Sequence, residues 1–305
     1  MIEAAEHKSP ALHKADVGTF VLGMLRSGTS ATARAINLLG LPACVRSDLK
    51  PAGPFNPMGH WESFSVHELN SKLLRQIGRD WFCPPPVELV RRELFVTPPE
   101  RAWRMFKAVH PTAQWVWKDP LTCLTLPFWL AVLNVSPVFV LVVRNPLEVA
   151  ESAWRRWPDF TKELSLALWE RYMRNAITHL RGMPVFVMRY EDMLKDPRGW
   201  CTEIATFLTS AGITLPSAGG GPAVSTFLKR GLYHARYNWR DVVGDPAVLP
   251  EQRELYEIIC ELAGPTESWE LPQLPPEREE IEARIVRFST PYDLPRVPLK
   301  RKAFP

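Results

Sequence analysis

Gly23, Arg26, Ser27, Gly28, Thr29 and Ser30 fall within a single run of the sequence, and their types suit one task, the binding of phosphate. Gly28 lets the backbone approach an anion. The amides opening a following helix carry partial positive charge, Thr29 and Ser30 add hydroxyl donors, and Arg26 adds a cation. The spacing from Gly23 to Ser30 follows the nucleotide phosphate loop except that Thr29 stands where that loop has lysine. Nothing at that position reaches the β and γ phosphates, which argues against an ordinary ATPase or GTPase. Read alone, the stretch is also compatible with a glycine-rich turn that binds nothing.

The elements that must position these residues follow from hydrophobic patterning. Phe20 to Leu22 reads as a short buried strand, and Ala31 to Leu39 as a helix stopped by Gly40 and Pro42. Glu62 to Arg79 reads as a helix with Leu69, Leu73, Leu74 and Ile77 on one face, and Glu100 to His110 as a shorter one. Trp115 to Trp117 is a strand running into Lys118 and Asp119, and Thr122 or Thr125 can cap the helix after it. Val138 to Val143 is an unbroken apolar run, as an interior strand covered on both faces requires. Arg144 ends it, and Pro146 opens a helix running over Leu147 to Trp157. Helices over Leu164 to Leu180, Arg198 to Ser210, Glu251 to Leu262 and Glu277 to Arg287 follow. Between the first two of these, a strand at Val185 to Val187 leads to Arg189, Tyr190, Glu191 and Asp192.

This alternation predicts an α/β fold, a phosphate-loop-containing and mostly parallel β-sheet with helices on both faces. Ligands of such sheets bind beyond the carboxyl ends of the strands. Four sequence-distant elements are therefore expected on one rim: Arg26 to Ser30, Lys118 with Asp119, Arg144, and Arg189 to Asp192. Three of them present cations at strand ends, which points to an anion site.

Composition sets the outer bounds. The 305 residues carry a net charge of +4, with basic residues dispersed and no long basic tract, so a small anion fits better than polymeric nucleic acid. Cys44, Cys83, Cys123, Cys201 and Cys260 are odd in number and form no C-x-x-C pair or zinc spacing, which favours a reducing compartment. Glu3, Glu6, His7 and Lys8 precede any apolar run, unlike a secretory signal, and no apolar run reaches membrane-spanning length. The expected location is cytoplasmic, with peripheral membrane association left open. Twelve tryptophans and thirty prolines suit an apolar cleft with rigid loops, or a tryptophan-rich core.

Domain organisation reads as a loose leader over residues 1–16 and one domain over 17–305, with a flap around 217–241. Cys44 to His60, rich in Pro and Gly, is long for a loop and expected to shape a site. Ser217 to Pro222 is a glycine-rich stretch. The basic and aromatic segment Phe227 to Asp241 beyond it suits a flap over a nucleotide.

Taken together, the rim segments resemble the sulfotransferase family in its bacterial form. Leu25-Arg26-Ser27-Gly28-Thr29-Ser30 is similar to that family's 5′-phosphosulfate loop. Val143-Arg144-Asn145-Pro146, with Ser152 eight residues after Arg144, is similar to its 3′-phosphate site. Trp117-Lys118-Asp119-Pro120 and Arg189-Tyr190-Glu191-Asp192 match further segments. The likeness covers Gly18 to Phe207, with a weaker stretch at Phe227 to His234. It implies a three-layer sulfotransferase-like architecture and 3′-phosphoadenosine 5′-phosphosulfate as sulfuryl donor, with no metal. The acceptor would be a hydroxyl of a carbohydrate, a lipid-linked glycan or a small-molecule metabolite. Arg26, Ser27, Gly28, Thr29, Ser30 and Lys118 would hold the 5′-phosphate, and Arg144 with Ser152 the 3′-phosphate. Tyr190 and Tyr233 would meet the adenosine, and Arg230 or Lys229 would reach the 3′-phosphate from the flap. For the base, Glu62 in Gly59-His60-Trp61-Glu62 is preferred, with capping of the Ser63 to Arg79 helix or pairing with a cation as its other role; His60 is next, and Asp119 follows, with orientation of Lys118 or Arg26 as its other role. A phosphate-loop kinase and a non-catalytic nucleotide-binding protein are the rival readings, and homo-oligomerisation is left open.

Overall fold

Five strands form one sheet in the computed structural model, which describes residues 16–93, 99–216, 220–228 and 237–290. β1 (Val17–Leu22), β2 (Gln114–Lys118), β3 (Ser136–Val143) and β4 (Val185–Arg189) are parallel and lie in the order β2-β1-β3-β4. β5 (Gly264–Thr266) closes the edge antiparallel to β4. Its three residues, Gly-Pro-Thr, carry no apolar pattern, and the sequence gives no sign of it.

Helices fill every connection. α1 (Thr29–Leu38) follows β1. α2 (Phe64–Gln76), α3 (Val87–Glu93) and α4 (Pro99–Val109) precede β2, and α5 (Thr122–Val132) joins β2 to β3. α6 (Pro146–Arg156) and α7 (Lys162–Thr178) separate β3 from β4. α8 (Tyr190–Lys195), α9 (Pro197–Ser210), α10 (Gly220–Phe227), α11 (Trp239–Gly244) and α12 (Pro250–Glu261) lead to β5, and α13 (Glu279–Ser289) comes last.

The four parallel strands are largely buried on both faces, and their period of two still sorts them. Phe20, Leu22, Trp115, Trp117, Phe139, Leu141 and Val143 turn to one layer, where α2, α4, α5 and α7 contribute Leu73, Phe106, Trp129 and Trp169. Val21, Val116, Val140, Val142 and Phe186 turn to the other, against Ile36 of α1 and Ile204 and Leu208 of α9. Trp115, Trp117, Trp129 and Trp169 are fully buried, so the core takes many of the tryptophans. Gly18 is registered against Trp115. A Cβ on Gly18 would lie 2.2 Å from the Trp115 ring, so only glycine lets that indole cross the strand pair.

Several local expectations are corrected. The helix expected from Glu62 is capped by Ser63, whose hydroxyl accepts from the Val66 amide, and Glu62 stands outside it. Neither Thr122 nor Thr125 caps α5. Asp119 accepts from the Leu121 amide instead, and the Thr125 hydroxyl donates to Asn70. The glycine-rich stretch runs into α10, which begins at Gly220. Arg46–Asp48 forms a single 3-10 turn inside the Cys44 to His60 segment. No helix among the described residues is long and apolar enough to cross a membrane.

Candidate active site

The connection from β1 goes to one side of the sheet and β3 is added on the other, so the chain reverses its order of strand addition around β1. A crevice opens where this happens, beyond the strand ends. It is occupied by a cavity of about 720 Å³ lined by Arg26, Gly28, Thr29 and Ser30 from the first loop and by Lys118 and Asp119 after β2. Arg144, Ser152 and Tyr190, together with His60, Glu62 and His67, complete its polar wall. The sequence places all of these residues in the site except His67.

The first loop is built to present amides. Gly28 is the residue before α1 and has φ +95°, and no side chain caps the helix. A Cβ there would lie 2.2 Å from the Tyr190 ring, so backbone freedom and close approach both demand glycine. The Ser27 hydroxyl is buried with no hydrogen-bond partner among the described residues. Arg26 also has positive φ, +71°, unusual for a residue with a Cβ. The turn directs its carbonyl to the Arg144 guanidinium, whose Nη1 donates over 2.9 Å. Its own Nε donates to Ser152 Oγ at 3.0 Å and its Nη1 to the Phe55 carbonyl at 3.3 Å.

Arg144 and Ser152 were expected to form a socket of their own. Both line the cleft, but Ser152 sits beyond the first turn of α6 and its hydroxyl is engaged by Arg26. Arg144 instead pairs Nε with Glu148 at 2.8 Å and lies 5.2 Å from the centre of the Tyr190 ring. Asn145 caps α6 by accepting from the Leu147 amide, which fixes the helix directly behind Arg144. Arg26 thus ties the first loop to Arg144 and α6. Burial, then the neighbouring Arg144 and Arg156, lower its pKa.

Lys118 enters from the end of β2. Its Nζ donates to Ser30 Oγ at 3.0 Å, to the His60 carbonyl at 3.3 Å, and to Glu62 Oε1. Lys50 donates to the second oxygen of Glu62 at 3.0 Å. Burial alone would raise the Glu62 pKa, but Lys118 and Lys50 outweigh it and Asp119, and the carboxyl stays below its ordinary value. His60 lines the cleft half-buried, and burial lowers its pKa despite Glu62.

Asp119, adjacent in sequence, lines the same cleft but has other partners. Its carboxylate touches neither Lys118 nor Arg26, contrary to the orienting role considered for it. It accepts from His67 Nδ1 at 3.2 Å, Asn70 Nδ2 at 3.0 Å and the Leu121 amide at 3.0 Å. Burial pushes its pKa up, and these partners more than offset that, holding it at about 2. His67 shows the complementary effect: burial lowers it, Asp119 raises it, and the net shift is upward.

The fourth rim element divides. Tyr190 lines the cleft and packs on Gly28, and burial raises its pKa. Arg189 pairs with Asp192 at 2.6 Å and lines a separate cavity of about 790 Å³ beside Tyr237 and Tyr256. It therefore adds no cation to the first site. Arg230 and Tyr233, with Lys229, lie outside the described residues. Phe227 and Leu228, just before them, reach the cleft. Tyr237, just after them, is tied to α6 through Glu148 and Glu151.

A sequence model of the Sulfotransferase family matches residues 19–212. The chain belongs to the sulfotransferase family. The matched span holds the phosphate loop, Lys118, Arg144, Ser152 and Tyr190, and its members' common chemistry is sulfuryl transfer. Among solved structures, the chain is similar to the sulfotransferase domain of the Synechococcus PCC 7002 olefin synthase. Identity there is 18%, over 94% of this chain and 99% of that one, with a TM-score of 0.45. It is also similar to the sulfotransferase domain from the curacin biosynthetic pathway, at 14% identity over 91% and 98% of the two chains and a TM-score of 0.41. A third, a Mycobacterium tuberculosis H37Rv sulfotransferase, is 15% identical over 69% and 71%, with a TM-score of 0.39. No functionally curated protein matches the sequence.

His67 and Asn70 were missed in the sequence. Their signal is a three-residue spacing that puts both polar groups on the face of α2 that buries Val66, Leu73 and Leu74. Polar groups beside an apolar face, Asn70 buried and His67 partly so, imply a partner across the interface, and Asp119 is that partner.

Proposed function

We propose that the protein transfers a sulfuryl group from 3′-phosphoadenosine 5′-phosphosulfate to a hydroxyl of a carbohydrate, lipid-linked glycan or small-molecule metabolite. One observation carries the reading: an uncapped helix N-terminus, Arg26, Lys118, Arg144 and Ser152 come from three different strand ends and share one cleft. The residues fit the donor. The amides opening α1, which no side chain caps, and the cleft-lining Ser30 suit a 5′-phosphosulfate, and Arg144 with Ser152 suits the 3′-phosphate. When bound, the donor supplies the activated sulfur and a phosphate leaving group.

The chain's own contribution is position and charge. The Gly28 to Ser30 amides, Arg26 and Lys118 stabilise charge gathering on the bridging oxygen as the S–O bond breaks. Arg144 anchors the far end of the nucleotide. Tyr190 stands between Gly28 and Arg144, where the adenosine must pass. Trp81, Trp157, Phe55 and Leu121 form an apolar end of the same cleft, suited to the body of an acceptor. The cysteines among the described residues are free, which fits work in the cytoplasm.

The test is incubation with ³⁵S-labelled donor and pooled glycans and hydroxylated metabolites, followed by identification of the labelled product. Label on an acceptor hydroxyl, abolished in Arg26→Ala, is expected. Phosphate transfer from magnesium-ATP with no sulfuryl transfer would overturn the reading in favour of a kinase.

A further inference from the structure

The cleft contains a group that the sequence does not offer as the proton acceptor. Of the residues considered for that role, Glu62 spends both carboxylate oxygens on Lys118 and Lys50. Asp119 spends its carboxylate on His67, Asn70 and the Leu121 amide and is 1% exposed. The His60 ring has no hydrogen bond to orient it among the described residues.

His67 differs on each count. It lies in the first turns of α2, whose start is fixed twice, by Ser63 and by the Asp48 carboxylate, which accepts from the Ser65 amide and hydroxyl. Its Nδ1 donates to Asp119, and behind Asp119 stands a braced chain. Asn70 donates to the carboxylate and accepts from Thr125 Oγ1 at 2.9 Å and Trp129 Nε1 at 2.7 Å. Those two contacts fix which way the Asn70 amide points, and Trp129 is fully buried. With Nδ1 committed as a donor, Nε2 is the basic nitrogen. It has no partner among the described residues, and the side chain, 26% exposed, lines the cleft that holds the phosphate loop. Asp119 follows Lys118 in sequence, so the histidine is keyed to the same strand end as the cation that holds Ser30.

We propose that His67 Nε2, oriented by Asp119, takes the proton of the acceptor hydroxyl during sulfuryl transfer, and this rests on the reading above. The acceptor oxygen forms its bond to sulfur as the bond from sulfur to the bridging phosphate oxygen breaks. The hydroxyl proton passes to Nε2, the electron pair of the broken bond leaves on the phosphate, and the imidazolium later releases its proton to water. Asp119 acts as a positioning residue and stabilises the imidazolium. The charged groups facing the ring are Asp119, Lys50 and Glu62, and their balance raises its pKa.

A base matters most for an acceptor that ionises with difficulty, and general-base assistance is worth about 10²–10⁴-fold. The experiment compares His67→Gln with the unaltered protein, using ³⁵S-labelled donor and two acceptors, cyclohexanol and 4-nitrophenol, the latter largely ionised at mildly alkaline pH. Calorimetric binding of 3′-phosphoadenosine 5′-phosphate reports separately on the donor site. The expected result is a loss of about 10²-fold or more on cyclohexanol, a change of less than about threefold on 4-nitrophenol, and unchanged nucleotide affinity. Asp119→Asn should move the acidic limb of the kcat/KM profile to lower pH, a shift a merely structural role would not produce. Equal losses on both acceptors, no loss on either, or an acceptor-dependent loss in Glu62→Gln instead, would overturn the assignment while leaving sulfuryl transfer intact. Absence of nucleotide binding and of transfer in the unaltered protein would remove the underlying reading first.

Discussion

Replacing Lys118 with methionine removes the donor shared by Ser30 Oγ, the His60 carbonyl and Glu62 Oε1, with little change in side-chain length. The Lys118 and Glu62 side chains are only 2% and 6% exposed, so the carboxylate loses a partner without gaining water. Removing one member of a buried ion pair costs about 3–5 kcal/mol. Lys50, 3.0 Å from the other Glu62 oxygen, still covers part of the charge. The loss should therefore lie near the lower limit, about 3 kcal/mol. Urea unfolding followed by tryptophan fluorescence reads it as a lower midpoint at constant slope. Lys118→Met combined with Glu62→Leu removes the stranded carboxylate and should recover about half of the loss. Sulfuryl transfer should stay abolished in both variants. A cost below about 1 kcal/mol for the single variant, or a double variant no more stable than the single, would refute the reasoning.

Arg144→Ala should weaken 3′-phosphoadenosine 5′-phosphate about 10- to 100-fold by calorimetry, the worth of a charge-assisted contact, while adenosine 5′-phosphosulfate, which lacks the 3′-phosphate, binds as before. Gly28→Ala should abolish detectable donor binding, because its Cβ meets the Tyr190 ring at 2.2 Å in a backbone conformation with φ +95°. Acid unfolding should respond to Asp119, whose pKa is depressed on folding from 3.8 to about 2. Its contribution is complete above the unfolded value and is lost as pH falls through the folded one, so Asp119→Asn should flatten the stability slope between those limits. Gly18→Ala should destabilise the sheet by about 1–3 kcal/mol, read as a lower thermal midpoint, because the Trp115 ring must leave its place across β1.

Much of this arrangement is legible in the residues. The β3 strand, the Asn145–Pro146 helix start and the glycine-flanked loop after β1 are local patterns with local causes, and they form as read. The rim follows from topology, because any parallel sheet gathers its strand ends. What could not be read is direction. Arg189 and Tyr190 are consecutive, yet one faces the second cavity and the other packs on Gly28. Lys118 and Asp119 diverge in the same way, one to Ser30 and Glu62, the other to His67 and Asn70. Such divergence is decided by which side of the strand each residue leaves from and by what the long α2 to α4 excursion brings alongside. The link from Arg26 to Ser152 was also hidden, because it spans 126 residues and depends on the left-handed turn at Arg26. Glu62 reads as a cleft carboxylate from its neighbours, but its two lysine partners come from a proline-rich loop and a strand end, and neither carries a periodic signal.

The central claim is that two strand-end elements grip one doubly phosphorylated nucleotide. A crystal structure of the protein soaked with 3′-phosphoadenosine 5′-phosphate tests it most directly. The 5′-phosphate should lie on the Gly28 to Ser30 amides with Lys118 beside it, and the 3′-phosphate against Arg144 and Ser152. A nucleotide bound in the cavity beside Arg189 and Tyr256, or with its phosphates away from Gly28 and Arg144, would contradict it.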